Sequence, residues 1–173
     1  MLYIFVEGFD DEDYFKKIFG AFWGEHKIIQ YAQKPKNKVE NFIKSIKCMP
    51  DSDYLFFADE DGKGVQSRRC EIASTYCELD SQKIIIVQYE IESWYYAGIS
   101  LDICKKLKIA HYQFDSNVLT KEQLYNKFLR QSDRKYIMAE MLNSYSLDLA
   151  VTRNTTLNSF FEAIKKNLPL FVE

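Results

Sequence analysis

Acidic side chains in this sequence gather at three places where an apolar run of residues ends. They are Glu7 after the first run, Asp59 and Asp61 after the third, and Glu90 and Glu92 after the fourth. Carboxylates that lie within a few ångströms of one another repel, and a hard divalent cation such as Mg²⁺ removes this conflict because it prefers oxygen ligands. Two such ions about 3.5–4 Å apart can hold the attacking and leaving oxygens of a phosphodiester. These residues therefore predict metal-dependent cleavage of a phosphodiester.

The residues around Glu7 and Asp61 add to this prediction. Asp11 lies one helical turn beyond Glu7, so the two carboxylates are neighbours if the helix begins early enough. Gly8 permits a tight turn beside Glu7, and Gly62 lets the backbone pass close to a ligand after Asp61. Each acidic residue alone has a simpler interpretation, because acidic side chains are common at helix N-termini and in loops. Agreement among three strand ends favours the metal site.

Basic side chains that would contact a phosphate are harder to assign. Lys63 follows Asp61 by two residues in a Gly-Lys-Gly sequence, which lacks the spacing of a P-loop but places a cation near the predicted site. The Arg68-Arg69 pair lies a little further along the same segment, and Arg153 lies near the end of the chain. For each of these side chains, an ordinary solvent-exposed charge is the alternative to a catalytic role.

The apolar runs that precede the acidic residues have the length and composition of buried strands. The predicted strands are Leu2–Val6, Lys27–Ala32, Tyr54–Ala58 and Lys83–Gln88. Of the helices between them, the first begins at Asp10 or Asp11, and the others are Val39–Lys47 and Gln66–Leu79. Continuous apolar strands that alternate with helices predict an α/β fold with a mainly parallel sheet of about four strands, flanked by helices on both faces. In such a sheet, ligands bind beyond the carboxyl ends of the strands.

The pattern changes after Trp94, because the remaining apolar residues follow helical spacing with no further strand. The predicted helices of this part are Leu101–Leu107, Lys121–Leu129, Tyr136–Leu142 and Leu157–Leu168. No linker rich in Gly, Ser or Pro separates the two halves. We therefore predict an α/β core over residues 1–98 and a helical extension over residues 99–173, which packs on the sheet as part of the same compact domain.

Composition excludes several classes of protein. The chain has 173 residues, of which 47% are hydrophobic, and a net charge of −2, so it lacks the strong basic excess of a typical polyanion-binding protein. Its apolar runs are all shorter than the roughly 20 residues of a membrane-spanning helix, and its N-terminus has no signal-peptide pattern, so we expect a cytoplasmic protein with no membrane partner. The four cysteines lack zinc-site spacing and are expected to be reduced thiols, mostly buried.

Several motifs resemble those of a known family. The segment Val6–Asp11 (V-E-G-F-D-D) is similar to the V-E-G-x-x-D opening of Toprim domains, and Asp59–Asp61 (D-E-D) resembles the Toprim D-x-D. The segment Glu90–Ala97 (E-I-E-S-W-Y-Y-A) is similar to the E-x-E-x-W stretch of small stand-alone Toprim-like proteins related to OLD-family nucleases. The segment Arg153–Phe161 loosely resembles the R-N-x-S-F-x-x-F ending of such proteins, with extra residues inserted.

This resemblance implies a Rossmann-like Toprim domain that binds Mg²⁺ or Mn²⁺ and hydrolyses nucleic-acid phosphodiester bonds by a two-metal mechanism, in phage defence among other settings. Metal ligands would be Glu7, Asp11, Asp59, Asp61, Glu90 and Glu92, with Glu7 also the general acid or base, and Lys63 and Arg153 are candidate basic catalytic residues.

Two other functions remain open at this point. OLD nucleases carry an ATPase domain, and no segment of this chain can serve as one. The chain is therefore either a nuclease in its own right or a binding or sensor subunit that is inactive alone and works with an ATPase or another partner. Phosphoryl transfer on a small nucleotide is the third possibility. The sequence does not distinguish DNA from RNA as the nucleic-acid partner, nor a monomer from a homo-oligomer.

Overall fold

The computed structural model describes residues 1–20, 24–109, 115–126 and 134–167, with the backbone alone described for Lys166 and Asn167. Contacts between residues divide the chain into two compact units, one containing Met1–Val87 and one containing Gln88–Pro169. We call the described parts of these the sheet unit and the helical unit. The predicted boundary at residue 98 falls inside the helical unit.

The sheet unit is built on four strands, all of them parallel. They are β1 (Leu2–Val6), β2 (His26–Gln30), β3 (Asp53–Asp59) and β4 (Ile84–Val87), in the order β2-β1-β3-β4. Each coincides with a predicted apolar run to within two residues at either end. An all-parallel sheet needs cover on both faces, since its strands carry apolar side chains on each side. The predicted α/β class is therefore confirmed.

The central strands β1 and β3 decide where the acidic residues lie. Leu2 pairs with Asp53, and the register runs along the strands to the pair Phe5 and Phe56. Both strands run in the same direction, so their carboxyl ends reach the same edge of the sheet. Glu7 comes directly after β1, and Asp59 is the last residue of β3. The parallel pairing therefore brings the two acidic segments to one edge.

Helical segments cover both faces of this sheet. They are α1 (Phe9–Tyr14), a π-helical turn (Phe15–Phe19), α2 (Lys36–Lys47) and α3 (Val65–Thr75). On one face, Phe5 and Phe56 join a buried cluster that includes Ile43 of α2 and Ile72 of α3. On the other face, Phe15 packs on Phe57 with ring centroids 4.3 Å apart.

Two helix boundaries differ from the predicted ones for local reasons. Helix α2 begins at Lys36 rather than Val39, because the carbonyl of Pro35 accepts the N–H groups of Lys38 and Val39 and so forms the first turn. Helix α3 ends at Thr75 rather than continuing to Leu79. There Tyr76 leaves helical geometry and packs its ring against Phe56 at 5.4 Å.

The helical unit consists of short helices. They are α4 (Ile91–Ala97), α5 (Leu101–Lys106), α6 (Lys121–Tyr125), α7 (Arg134–Asn143), α8 (Leu147–Arg153) and α9 (Thr155–Asn167). Four of these correspond to predicted helices, and the predicted continuation of α6 beyond Asn126 lies outside the described residues. Helices α4 and α8 were not among the predicted helices, because a helix of seven residues shows too little periodicity to be recognised in a sequence.

Two expectations drawn from composition have different outcomes. None of the described helices is long and apolar enough to cross a membrane. The four cysteines are free thiols, as expected, but only Cys104 is buried, while Cys48, Cys70 and Cys77 are exposed. The expectation that most of the thiols are buried is therefore wrong. The three exposed cysteines lie on α3 or just beyond the ends of α2 and α3, where the chain turns away from the core.

A close approach between Gly98 and Tyr145 ties the end of α4 to the segment that follows α7. The hydroxyl of Tyr145 donates to the carbonyl of Trp94 at 3.1 Å, and the N–H of Ser146 donates to the carbonyl of Gly98 at 2.9 Å. A Cβ atom on Gly98 would overlap the ring of Tyr145. Only glycine leaves room for the ring at this position.

We predict that Gly98→Ala destabilises the protein by about 1–3 kcal/mol, the usual cost of inserting a methyl group into a packed site. Urea unfolding followed by circular dichroism measures this cost. The matched control is the same substitution in a Tyr145→Leu background, where the ring is absent and the cost should fall by more than half. An equal cost in both backgrounds would show that the ring is not the cause.

Candidate functional site

Glu7 is held in place by a buried tyrosine that follows the neighbouring strand. The N–H of Tyr31 donates to the carbonyl of Val6 at 2.8 Å, and its ring stacks on Phe56 with centroids 4.3 Å apart. Its hydroxyl donates to Oε1 of Glu7 at 3.0 Å. Burial, and next the charge of Glu7, raise the pKa of Tyr31 far above its ordinary value. Tyr31 therefore stays protonated and acts as a fixed donor to Glu7.

The pKa of Tyr31 is also affected by other acidic residues of the sheet unit. The charges of Asp11 and Asp59 also raise the pKa of Tyr31, although by less than burial and the charge of Glu7 do. Of the three carboxylates, only that of Glu7 is in hydrogen-bond contact with the hydroxyl, while Asp11 and Asp59 act on it through their charge alone. Glu7, Asp11 and Asp59 thus all act on Tyr31, and their joint role as metal ligands stays a prediction.

A tight turn after β3 presents Asp61. The N–H of Lys63 donates to the carbonyl of Glu60 at 3.1 Å, and Asp61 and Gly62 both have positive φ, at 53° and 67°. Aspartate tolerates this left-handed conformation better than most residues, and glycine adopts it freely. The turn directs the Asp61 carboxylate towards α3, which starts at Val65.

Arg68 of α3 joins the two acidic segments. Its Nη2 lies 2.8 Å from Oδ2 of Asp61 and 3.4 Å from Oε1 of Glu7. The two carboxylate oxygens are therefore separated by no more than the sum of these distances. The other two nitrogens have separate partners, since Nε donates to the carbonyl of Asp59 at 2.9 Å and Nη1 to Glu71 at 3.1 Å. The Arg68 side chain is only 12% exposed.

The residues around Arg68 keep its guanidinium positively charged. Burial acts to lower the pKa of its guanidinium, but the hydrogen bond to Glu71 and the charges of Asp61, Glu71 and Glu7 outweigh it, so the pKa lies above its ordinary value. A permanent positive charge thus neutralises part of the acidic edge. This countercharge offsets part of the repulsion between the carboxylates.

Two other predicted residues have structural partners in the sheet unit. The N–H of Gly8 donates to Oδ2 of Asp11 at 3.0 Å, so Asp11 caps the start of α1, which is the simpler of its two interpretations. Lys63 pairs with Glu71 through Nζ at 2.8 Å and is half exposed. The structure therefore places Lys63 beside the acidic edge but directs its charge to Glu71.

The residues of this edge match a hard divalent cation in chemistry but not in their present arrangement. Their donors are carboxylate oxygens, which Mg²⁺ and Mn²⁺ prefer. Within the described ranges, however, no three His, Cys, Asp or Glu side chains are grouped closely enough to hold a metal ion. Nη2 of Arg68 contacts two of the predicted ligands, Glu7 and Asp61, so a cation bound there would compete with this nitrogen for their charge.

Glu90 and Glu92 belong to the helical unit and have their own partners there. Glu92 is 1% exposed, and its Oε1 accepts a hydrogen bond from the hydroxyl of Tyr125. The same oxygen lies 3.9 Å from Nη2 of Arg134 and 4.0 Å from Nζ of Lys121. The guanidinium of Arg134 also lies over the Tyr125 ring, 4.4 Å from its centroid. Glu92 is thus a buried charge compensated by two cations.

Glu90 lies at the start of α4 and accepts a hydrogen bond from the N–H of Lys121 at 2.6 Å. Partial burial, opposed by that hydrogen bond and assisted by the charge of Glu92, raises the pKa of Glu90 above its ordinary value. Both glutamates therefore have structural roles in linking α4 to α6. Their membership of a metal site stays a prediction.

The Arg153–Phe161 segment supports packing in the helical unit. The Nη1 of Arg153 donates to the carbonyl of Ile99 at 2.8 Å, and the side-chain oxygen of buried Asn154 accepts the N–H of Leu157 at 3.0 Å, which caps α9. The indole of Trp94 stacks on Phe160 with centroids 5.6 Å apart. Two segments singled out in the sequence are thus joined in one core, and the catalytic role of Arg153 stays a prediction.

Comparison of the chain with protein-family models, with curated proteins and with solved structures finds no match. The resemblance to Toprim domains therefore depends on the motifs themselves, and what it implies about activity remains a proposal.

The residues that sequence analysis missed are Tyr31 and Glu71. Tyr31 directly follows β2, so the rule that singled out Glu7 and Asp59, a polar group at the end of a strand, applies to it equally. The predicted strand Lys27–Ala32 includes Tyr31, whereas β2 ends one residue before it, so the sequence pattern places this tyrosine within the strand. Glu71 carries no such signal, since its role depends on the helical turn that separates it from Arg68.

We predict that Glu92→Ala destabilises the protein by about 1–3 kcal/mol, because Tyr125 and the two cations lose a buried acceptor. Urea unfolding in EDTA measures this loss without any contribution from metal ions. Glu122→Ala, on the exposed surface of α6, is the matched control and should change stability by less than about 0.5 kcal/mol. Equal effects of the two substitutions would contradict the structural role of Glu92.

Proposed function

We propose that this protein is a Mg²⁺- or Mn²⁺-dependent phosphodiesterase that cleaves nucleic acid in the cytoplasm. The observation that carries the proposal is the meeting of Glu7 and Asp61 on one nitrogen of Arg68, at the edge where Asp59 ends β3. These carboxylates lie beyond the carboxyl ends of central parallel strands, where α/β proteins bind ligands. Phage defence is the biological setting that the motif resemblance suggests.

Glu7, Asp59 and Asp61 would hold the cation, with Asp11 close enough to contribute. A bound cation of this kind supplies Lewis-acid polarisation of a phosphoryl oxygen and lowers the pKa of a bound water. Tyr31 holds the Glu7 carboxylate in one orientation through its hydroxyl. Glu7 is the residue best placed to exchange a proton with water, because the described contacts of Tyr31 and Arg68 are both with its Oε1 and not with its other oxygen.

We predict that the purified protein nicks plasmid or cleaves oligonucleotides, of DNA or RNA, with Mg²⁺ or Mn²⁺ and that EDTA abolishes the activity. Glu7→Gln and Asp59→Ala should each lower the rate by about 100-fold or more, the size of effect expected when a group that stabilises the charge of the transition state is lost. Gel analysis of the products measures the rate for each substrate and metal.

The matched control for these variants is Glu60→Gln, since Glu60 lies in the same turn between the two aspartates. Its rate should remain within about twofold of the wild type, as for a substitution outside a site. Activity that persists in Glu7→Gln and Asp59→Ala would exclude this edge as the active site. A crystal soaked in Mn²⁺ that shows no ion near Glu7 and Asp59 would also contradict the proposal.

One observation favours a second candidate, a binding or sensor subunit that works with an ATPase or another partner. Arg68 neutralises Glu7 and Asp61, and no group suited to a metal ion is formed by the side chains of the described ranges. A protein that stays inert on every nucleic acid with Mn²⁺, yet forms a stable complex with the product of a neighbouring gene, would support this function instead.

A further inference from the structure

Arg68 differs from an ordinary ion-pair partner in how its three guanidinium nitrogens are used. Nε donates to the carbonyl of Asp59 at 2.9 Å, and Nη1 donates to Glu71, its neighbour on α3, at 3.1 Å. Only Nη2 faces Glu7 and Asp61. Two bonds to β3 and α3 thus fix the plane of the guanidinium, and the third nitrogen is directed at the acidic edge.

This division of contacts has a consequence for ligand binding. A cation that takes the charge of Glu7 and Asp61 removes the partners of Nη2 but leaves the bonds of Nε and Nη1 intact. The guanidinium then keeps its position and presents N–H groups beside the bound ion. A planar donor held in this way suits a phosphate oxygen, which an arginine binds through directed hydrogen bonds.

We propose that Arg68 is the phosphate-binding residue of this site: its Nη2 donates to Glu7 and Asp61 until a divalent cation takes their charge, and then donates to a phosphate oxygen of the substrate. The inference rests on the proposed function and deepens it, because it names the group that recognises the phosphate. The two basic residues that the resemblance suggests are directed elsewhere, since Lys63 is paired with Glu71 and Arg153 donates to the carbonyl of Ile99.

The two roles of Arg68 have opposite effects on the two ligands. As a countercharge, the guanidinium competes with the cation, so its removal strengthens cation binding. As a phosphate donor, it attracts the anion, so its removal weakens phosphate binding. Removal of a residue that only supported the fold would weaken the binding of both ligands. Removal of a distant surface charge would change neither affinity by much.

The test compares Arg68→Gln with the wild type in two titrations that do not require catalysis. Mn²⁺ binding is followed by electron paramagnetic resonance, and inorganic phosphate binding to the Mn²⁺-loaded protein is followed by broadening of the ³¹P resonance. Arg68→Gln should bind Mn²⁺ about fivefold more tightly, as expected when one partly buried ion pair is removed. Its affinity for phosphate should fall about tenfold or more, the effect of losing a hydrogen bond between charged groups.

Arg69→Gln is the matched control, because it removes the same charge from the adjacent position of α3, while the ion pairs to Glu7 and Asp61 belong to Arg68. Both affinities should stay within about twofold of the wild type. If Arg68→Gln does not fold, Arg68→Lys replaces it. Lysine keeps the charge but lacks the three-way fork, so cation affinity should remain near the wild-type value while phosphate affinity falls.

Three results would overturn the inference. Unchanged phosphate affinity in Arg68→Gln or Arg68→Lys excludes a phosphate contact, and weaker Mn²⁺ binding in Arg68→Gln shows that Arg68 supports the carboxylates instead of competing for them. An equal loss of phosphate affinity in Arg69→Gln shows a diffuse charge effect. If Glu7→Gln and Asp59→Ala bind Mn²⁺ as tightly as the wild type, the proposed function is overturned as well. If Glu7→Gln weakens Mn²⁺ binding but Arg68→Gln leaves phosphate affinity unchanged, only this inference is overturned.

Discussion

Parallel pairing of β1 with β3 brings together two acidic segments that are far apart in the sequence. The register runs from the pair Leu2 and Asp53 to the pair Phe5 and Phe56, and it determines where the residues that follow each strand lie. The register is held by the side chains buried on each face, since a one-residue slip would turn them to the opposite face. The position of Glu7 beside the end of β3 is therefore a by-product of core packing, and the electrostatic features of this edge follow from it.

Bringing carboxylates to one edge creates repulsion that the protein must offset. Arg68 does so from α3, and the tight turn after β3 places Asp61 within its reach. A guanidinium and a divalent cation solve the same electrostatic problem in different ways. The guanidinium donates hydrogen bonds in one plane, while Mg²⁺ collects oxygens in an octahedron and keeps several waters. A site that accommodates both must let its carboxylates turn, and Asp61, on a turn and half exposed, has that freedom.

Sequence patterns were sufficient for the parts of the fold that depend on local composition. Four apolar runs predicted the strands, and the carboxylates after them indicated the edge at which Glu7 and Asp61 meet Arg68. The contacts of Tyr31 and Arg68 with Glu7 could not be found this way, because they depend on strand pairing and helix placement that no local pattern encodes. Helix α8 was missed because short helices gain their stability from packing more than from periodicity. The burial of Glu92 could not be predicted either, because the cations that compensate its charge come from other helices, α6 and α7.

The balance of charge distinguishes the two acidic clusters as places for a cation. In the helical unit, the buried carboxylate of Glu92 lies beside two cations, Lys121 and Arg134. Among the ion pairs described at the edge of the sheet unit, three carboxylates share two cations, namely Glu7, Asp61 and Glu71 against Lys63 and Arg68. Unbalanced negative charge attracts a divalent cation, whereas a compensated buried carboxylate would first have to give up partners that stabilise it. The electrostatics of each unit, considered separately, therefore favour the strand ends of β1 and β3 as the place where a metal ion would bind first.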